Sequence, residues 1–146
     1  MYNYDGAIRR LMTATNKIDG AYYLMARKLG VKENTLALLY ALDDGKAHSQ
    51  KQISDEWLIP KTTINTIVKE LSDSGYLNLL SEDHTREKTI KLTEAGKKYT
   101  NKILQIIYKA ENQALNETVD KFGTEFVEAF DFFADSLCNE FKKKNP

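Results

Sequence analysis

Cysteine is all but missing from this 146-residue chain, with Cys138 standing alone. A single thiol cannot close an internal disulfide, which fits a reducing compartment. Long apolar runs are missing too. The longest, such as Leu36 to Tyr40, fall far short of the roughly 20 residues that span a bilayer, so no membrane partner is expected. The N-terminus carries Asp5, Arg9 and Arg10 with no apolar core behind them, so no signal peptide is expected and the cytoplasm is the natural location. There is no excess of charge: 21 Lys and Arg balance 21 Asp and Glu. Proteins that bind nucleic acid usually carry a basic footprint, so any such footprint here must be local. Histidine is down to His48 and His84, neither with a second histidine or cysteine at a ligand spacing, so no metal site is expected. Glycine-rich phosphate loops and serine-histidine-acid or cysteine-histidine sets are absent, so neither an enzyme nor a bound cofactor is expected. Repeats and low-complexity stretches do not occur, apart from a Lys142-Lys143-Lys144 tail.

What is present is an ordinary globular composition, 42% apolar and 29% charged, in a chain long enough for one domain or one domain with a dimerisation arm. Residues from about Tyr4 to Leu29 read as one helix. Tyr4, Ile8, Leu11, Thr15, Ile18, Tyr22, Met25 and Leu29 follow spacings of 4-3-4-3-4-3-4, a heptad-like seam interrupted by Gly20. Such a seam either covers the helix's own core or packs along a second long helix. Gly30 ends this helix in the manner of a C-cap. A second helix is expected from about Glu33 to Leu42, closed by Asp43-Asp44-Gly45.

From Ser49 to Gly96 the pattern changes to short elements. Ser49 and Gln52 match a Ser-x-x-Gln capping box at the start of a third helix, with Ile53 and Trp57 on its inner face. Leu58-Ile59-Pro60 makes a turn, and Pro60 suits the start of a fourth helix because its fixed φ and missing N–H do no harm there. Ile64, Ile67, Val68 and Leu71 form the buried stripe of that helix, and Gly75 ends it. Tyr76 to Ser81 and Thr89 to Leu92 alternate in strand fashion, with Ile90 and Leu92 inward. The polar loop from Glu82 to Lys88 joins them into a hairpin. Thr93 caps a fifth helix running to about Glu117, with Tyr99, Ile103, Ile106, Ala110 and Ala114 on one side. Gly123 breaks the chain. A last helix from about Glu125 to Lys142 carries Phe126, Phe130, Phe133, Leu137 and Phe141 on one stripe, which favours a subunit interface. Cys138 lies on this helix, which is expected to be packed, and is expected to be inert.

Two helices across a tight turn, followed by a hairpin, describe a winged helix-turn-helix. The outer face of the fourth helix carries Lys61, Thr62, Thr63, Asn65, Thr66 and Lys69, with no acid before Glu70. Short polar side chains can reach base edges and cations can meet phosphates: Asn pairs with adenine, and a threonine methyl touches a thymine methyl. Arg86 and Lys88 stand at the hairpin tip, where an arginine can enter the minor groove or clamp the backbone. From Lys46 to Lys91, seven Lys and Arg face seven Asp and Glu. The balance keeps an alternative open, a winged-helix module that binds protein and no DNA.

These residues resemble the MarR family of bacterial transcriptional regulators. The resemblance follows the whole chain in element order and length. Thr62-Thr63-Ile64, Val68-Lys69-Glu70-Leu71 and Ser74-Gly75-Tyr76-Leu77 look like the family's recognition helix and its exit. Arg86 looks like the wing arginine, and Leu92-Thr93-Glu94-Ala95-Gly96 like the family's Leu-Thr-x-x-Gly closure. Asp83 and His84 precede the arginine where the family usually has an Asp two residues before it, and Thr66 stands where an arginine is common. The resemblance implies a mainly α fold with a small antiparallel β-hairpin wing: a single domain over 1–146. Its dimerisation helices would lie at about 1–30 and 97–146, and its winged helix-turn-helix at about 33–96. It implies a homodimeric repressor that sets paired fourth helices in successive major grooves of a pseudo-palindromic operator. A small effector, aromatic by its pocket, would release it. Tyr22, Tyr23, Met25 and Tyr40 are the candidates to line that pocket.

Overall fold

Apolar residues at helical spacing and a few turn residues account for most of the architecture of the computed structural model, which describes residues 4–81 and 88–146. The chain forms two compact units, Met1–Leu104 and Gln105–Pro146.

In the first unit, α1 spans Tyr4–Lys28 and α2 spans Glu33–Leu42, joined through Gly30 at a positive φ. Helix α2 is the centre of the core: Leu36, Leu38, Leu39 and Leu42 are all buried. Each such side chain contributes about 1.5–3 kcal/mol on leaving water. The seam of α1 behaves differently. Tyr4, Ile8, Leu11 and Ile18 remain exposed, and Ala26 is the buried residue of the helix.

A short strand β1, His48–Ser49, precedes α3, Gln50–Trp57. Sequence periodicity gave no sign of β1, because two residues are too few to alternate. The Ser49 hydroxyl accepts from the Gln52 N–H at 2.9 Å, the first half of a capping box. The Gln52 carboxamide instead reaches forward and donates to Glu56 at 3.0 Å. Ile53 is buried as expected, but Trp57 is not an inner-face residue: it is 39% exposed and leans on Tyr40 with ring centroids 5.5 Å apart. Helix α4, Lys61–Asp73, buries Ile64, Ile67, Val68 and Leu71.

The wing is a three-stranded antiparallel sheet in the order β1-β3-β2, with β2 at Leu77–Ser81 and β3 at Lys88–Leu92. Leu77 pairs with Leu92 and Ser81 with Lys88, while His48 pairs with Ile90. The His48 ring sits 2.8 Å from the Asp44 carboxylate. That hydrogen bond, with one from the Lys46 N–H, holds Asp44 below its ordinary pKa of 3.8.

Helix α5, Glu94–Phe122, begins against the base of the wing. Thr93 makes three bonds there: its hydroxyl donates to Gly75 O at 2.7 Å and accepts from the Gly96 N–H at 2.9 Å, and its own N–H donates to Tyr76 O at 3.1 Å. The Tyr76 and Tyr99 rings stack at 4.3 Å with 7° between planes. Burial, and secondarily Tyr76, pushes the Tyr99 hydroxyl above its ordinary pKa. The buried side of α5 is Thr100, Ile103, Leu104 and Ile107; Ile106, expected on one side with Ile103, is 51% exposed. The true stripe follows i, i+3, i+4, i+7, one residue round from the expected one.

In the second unit, α5 ends at Gly123, whose φ is 87°, and α6 spans Glu125–Lys143. No residue of α6 is buried. Phe126 and Phe130 touch at 6.0 Å, while Phe132 and Phe141 project into solvent, and Cys138 is exposed and not packed.

Gly96 has no room for a side chain, since a Cβ there would overlap the Tyr76 carbonyl. Gly96→Ala is therefore expected to cost about 1–3 kcal/mol of stability, read as a lower urea midpoint at unchanged slope.

Candidate nucleic-acid interface

The turn before α4 decides which way that helix points. Leu58 adopts the left-handed conformation, φ 52°, and is 87% exposed. A branched side chain there costs roughly 1–2 kcal/mol. Two contacts hold it in place: Ile59 is buried, and the Ser54 hydroxyl donates to Ile59 O at 2.6 Å across the turn. Pro60 follows as N-cap, and its carbonyl accepts from the Ile64 N–H at 3.0 Å. Proline offers no capping side chain, so the first-turn N–H groups of α4 stay open to an outside acceptor.

At about 100° per residue, Lys61, Asn65, Lys69, Thr62 and Thr66 fall within an arc of roughly 140° on α4. All five are exposed. The buried stripe occupies the opposite side. The Thr66 hydroxyl donates to Thr62 O at 3.1 Å, which leaves its lone pairs and its methyl group for outside contacts. Thr63 stands apart from this arc. It is half-buried and, with Thr66 and Ile67, lines a cleft against Lys32, Glu33 and Asn34 at the start of α2. Lys32 and Asn34 were not singled out in the sequence, because only the fold carries the start of α2 to this face. Lys88 is exposed at the first position of β3, while Arg86 and the loop from Glu82 to Glu87 lie outside the described residues.

Of the aromatic set, the fold brings Tyr22 and Tyr40 together. They line a pocket of about 360 Å³ with Trp57, Ile18, Leu36 and Ala37, and with the acidic residues Asp19 and Glu33. Tyr23 and Met25 are not part of it; Tyr23 is exposed, with the Arg27 guanidinium 5.9 Å above its ring. Among the described residues there is no cluster of metal-ligating side chains and no helix long and apolar enough to cross a membrane.

Helix-turn-helix, three-stranded wing and an outward-facing polar helix define a winged helix-turn-helix protein. Residues 29–87 match the model of the MarR family. The fold extends the likeness to nearly the whole chain. The MarR family regulator NMB1585 from Neisseria meningitidis is 22% identical, with 94% of each chain covered and a TM-score of 0.74. NadR in complex with 4-hydroxyphenylacetate is 15% identical, covering 92% of this chain and 91% of its own, with a TM-score of 0.66. Overoxidized AbfR bound to DNA is 14% identical, covering 94% and 93%, with a TM-score of 0.66. No curated protein matches the sequence. The likeness read from the residues is found again here: residues 29–87 are similar to the MarR family, and the fold is that of MarR family transcriptional regulators.

Asparagine tolerates the left-handed region far better than leucine. Leu58→Asn is expected to raise stability by about 0.5–1 kcal/mol, seen as a higher melting temperature.

Proposed function

We propose that this chain is a bacterial, sequence-specific DNA-binding regulator of transcription, a binding protein and not an enzyme. It acts as a homodimeric cytoplasmic repressor on a pseudo-palindromic operator and is released by a small aromatic effector. The observation that carries this reading is the exposed arc of α4, which gathers Lys61, Thr62, Asn65, Thr66 and Lys69 and carries no acid before Asp73 at its C-terminal end. Lys61 and Lys69 meet phosphates, Asn65 reads a base edge, and the threonines offer methyl groups and oxygen acceptors. Thr63 supports the helix from its cleft, and Lys88 with Arg86 contacts the duplex from the wing. A whole-chain charge of zero is compatible with this, because Lys61 and Lys69 still make the outer arc of α4 locally cationic. The AbfR complex, a protein of the same fold bound to DNA, supports the reading, and the NadR complex supports a ligand pocket.

Dimerisation rests on two uncovered apolar faces. Tyr4, Ile8, Leu11 and Ile18 line one on α1; Phe126, Phe130 and Phe141 line another on α6. Side chains of this size left in water on regularly spaced helix faces mark an interface. With two copies, half-sites lie about one helical turn of DNA apart. The regions at about 1–30 and 97–146 serve as dimerisation helices, and about 33–96 as the DNA-binding region.

Gel retardation on DNA from upstream of the protein's own gene tests the reading. Affinity should fall steeply with salt, and Lys69→Ala should reduce the salt slope by about one. Arg86→Ala should weaken binding to all sequences, whereas Asn65→Ala should cost about 1–3 kcal/mol and relax one base position. A protein that retards neither this DNA nor random duplex at low salt is instead a protein-docking module, the alternative that the balanced charge of the winged segment supports. In sedimentation equilibrium the chain should run as a dimer, and Phe130→Asp should shift it toward monomer; a monomeric wild type would sink the dimer.

A further inference from the structure

The charged residues that line the pocket of about 360 Å³ are both acidic among the described residues. Its walls are apolar and aromatic, from Leu36, Tyr22, Tyr40 and Trp57. Its ionisable lining residues, beyond the two tyrosines, are Asp19 and Glu33, and no Lys, Arg or His belongs to it among the described residues. Neither carboxylate forms a salt bridge among the described residues, so both are available to a ligand.

We infer that this pocket takes an aromatic organic cation, of the protonated amine or quaternary ammonium class, and discriminates against aromatic carboxylates. Tyr22, Tyr40 and Trp57 supply three aromatic rings to the lining, and the face of such a ring attracts a cation within about 6 Å of its centroid. The two carboxylates supply the counter-charge. An aromatic anion would be desolvated here with no cation to meet it and with two like charges nearby. The volume lies at the small end of the roughly 300–1,000 Å³ typical of ligand pockets, which suits one compact molecule. Charge therefore distinguishes this pocket's ligand from 4-hydroxyphenylacetate, the carboxylate carried by NadR.

The pocket also has a direct route to the reading helix. Trp57 is the last residue of α3, and the strained Leu58 turn and α4 follow it immediately. A ligand that favours one position of Trp57 biases the orientation of α4. By linkage it lowers DNA affinity by the same factor by which DNA lowers its own. That regulatory role rests on the effector reading above, whereas the charge preference can be measured without DNA.

Trp57 is the chain's single tryptophan, so its fluorescence reports on the pocket directly. The test titrates the full-length protein, in the absence of DNA, with three probes of similar size: benzyltrimethylammonium, neutral neopentylbenzene and 4-hydroxyphenylacetate. The cation is expected to give a saturable change and to bind at least tenfold more tightly than the other two. Asp19→Asn and Glu33→Gln should each weaken it threefold or more while leaving neopentylbenzene unchanged. Equal or tighter binding of 4-hydroxyphenylacetate overturns the charge assignment but keeps a ligand pocket. An unchanged affinity for the cation in the double variant overturns it as well. If none of the three probes binds, the effector role of the pocket falls with it, and DNA binding is judged separately by gel retardation.

Discussion

The joint at Tyr76 is the constraint on which the winged unit depends. Here the end of α4, the start of β2 and the first turn of α5 meet through backbone atoms. The Tyr76 N–H closes α4 by donating to Leu71 O at 2.8 Å, and the Gly75 N–H donates to Ser72 O at 2.9 Å. Together these make a Schellman close with Gly75 at φ 81°. The Tyr76 carbonyl then accepts from Thr93 and lies against Gly96, where only a hydrogen fits. Backbone joints of this kind tolerate little slippage. Helix α4, the wing strands and the start of the long helix α5 are therefore held in one geometry, and the Tyr76–Tyr99 stack covers the joint.

The opposite end of α4 is held less comfortably. A leucine in the left-handed region is retained because Ile59 must be buried and the Ser54 hydroxyl must reach the turn. Strain of this size persists where surrounding contacts outweigh it. It sits between the pocket residue Trp57 and the reading face. One end of the helix is fixed by a backbone joint and the other by a turn with a left-handed leucine.

Electrostatics in this chain is local. Equal numbers of acids and bases leave no overall field to draw the protein to a polyanion. What remains is a sorting by surface: Lys61, Lys69 and short polar groups on the N-terminal part of the outer arc of α4, Asp19 and Glu33 among the residues lining the pocket beside α1 and α2. The two surfaces differ in charge and are built by different helices.

Local patterning was enough to place both ends of α2, the buried stripe of α4, the Ser49 cap, the inward Ile90 and Leu92, and the Thr93–Gly96 closure. These depend on periodicity, capping and turn chemistry within a few residues. The outer face of α4 was legible for the same reason: once the buried stripe is known, the opposite side follows. Tertiary structure alone decided the rest. β1 exists because β3 offers it a partner. Trp57 turns outward because Tyr40 and the pocket, not α3's own periodicity, set its surroundings. The inward side of α5 is one residue round from the expected stripe because contacts from other elements choose it. Tyr22 and Tyr40 meet while Tyr23 and Met25 do not, since neighbours in sequence on a helix point about 100° apart and only packing selects among them. Contacts between residues far apart in the chain leave no periodic trace, so a ligand's surroundings could be seen only once the helices had been brought together.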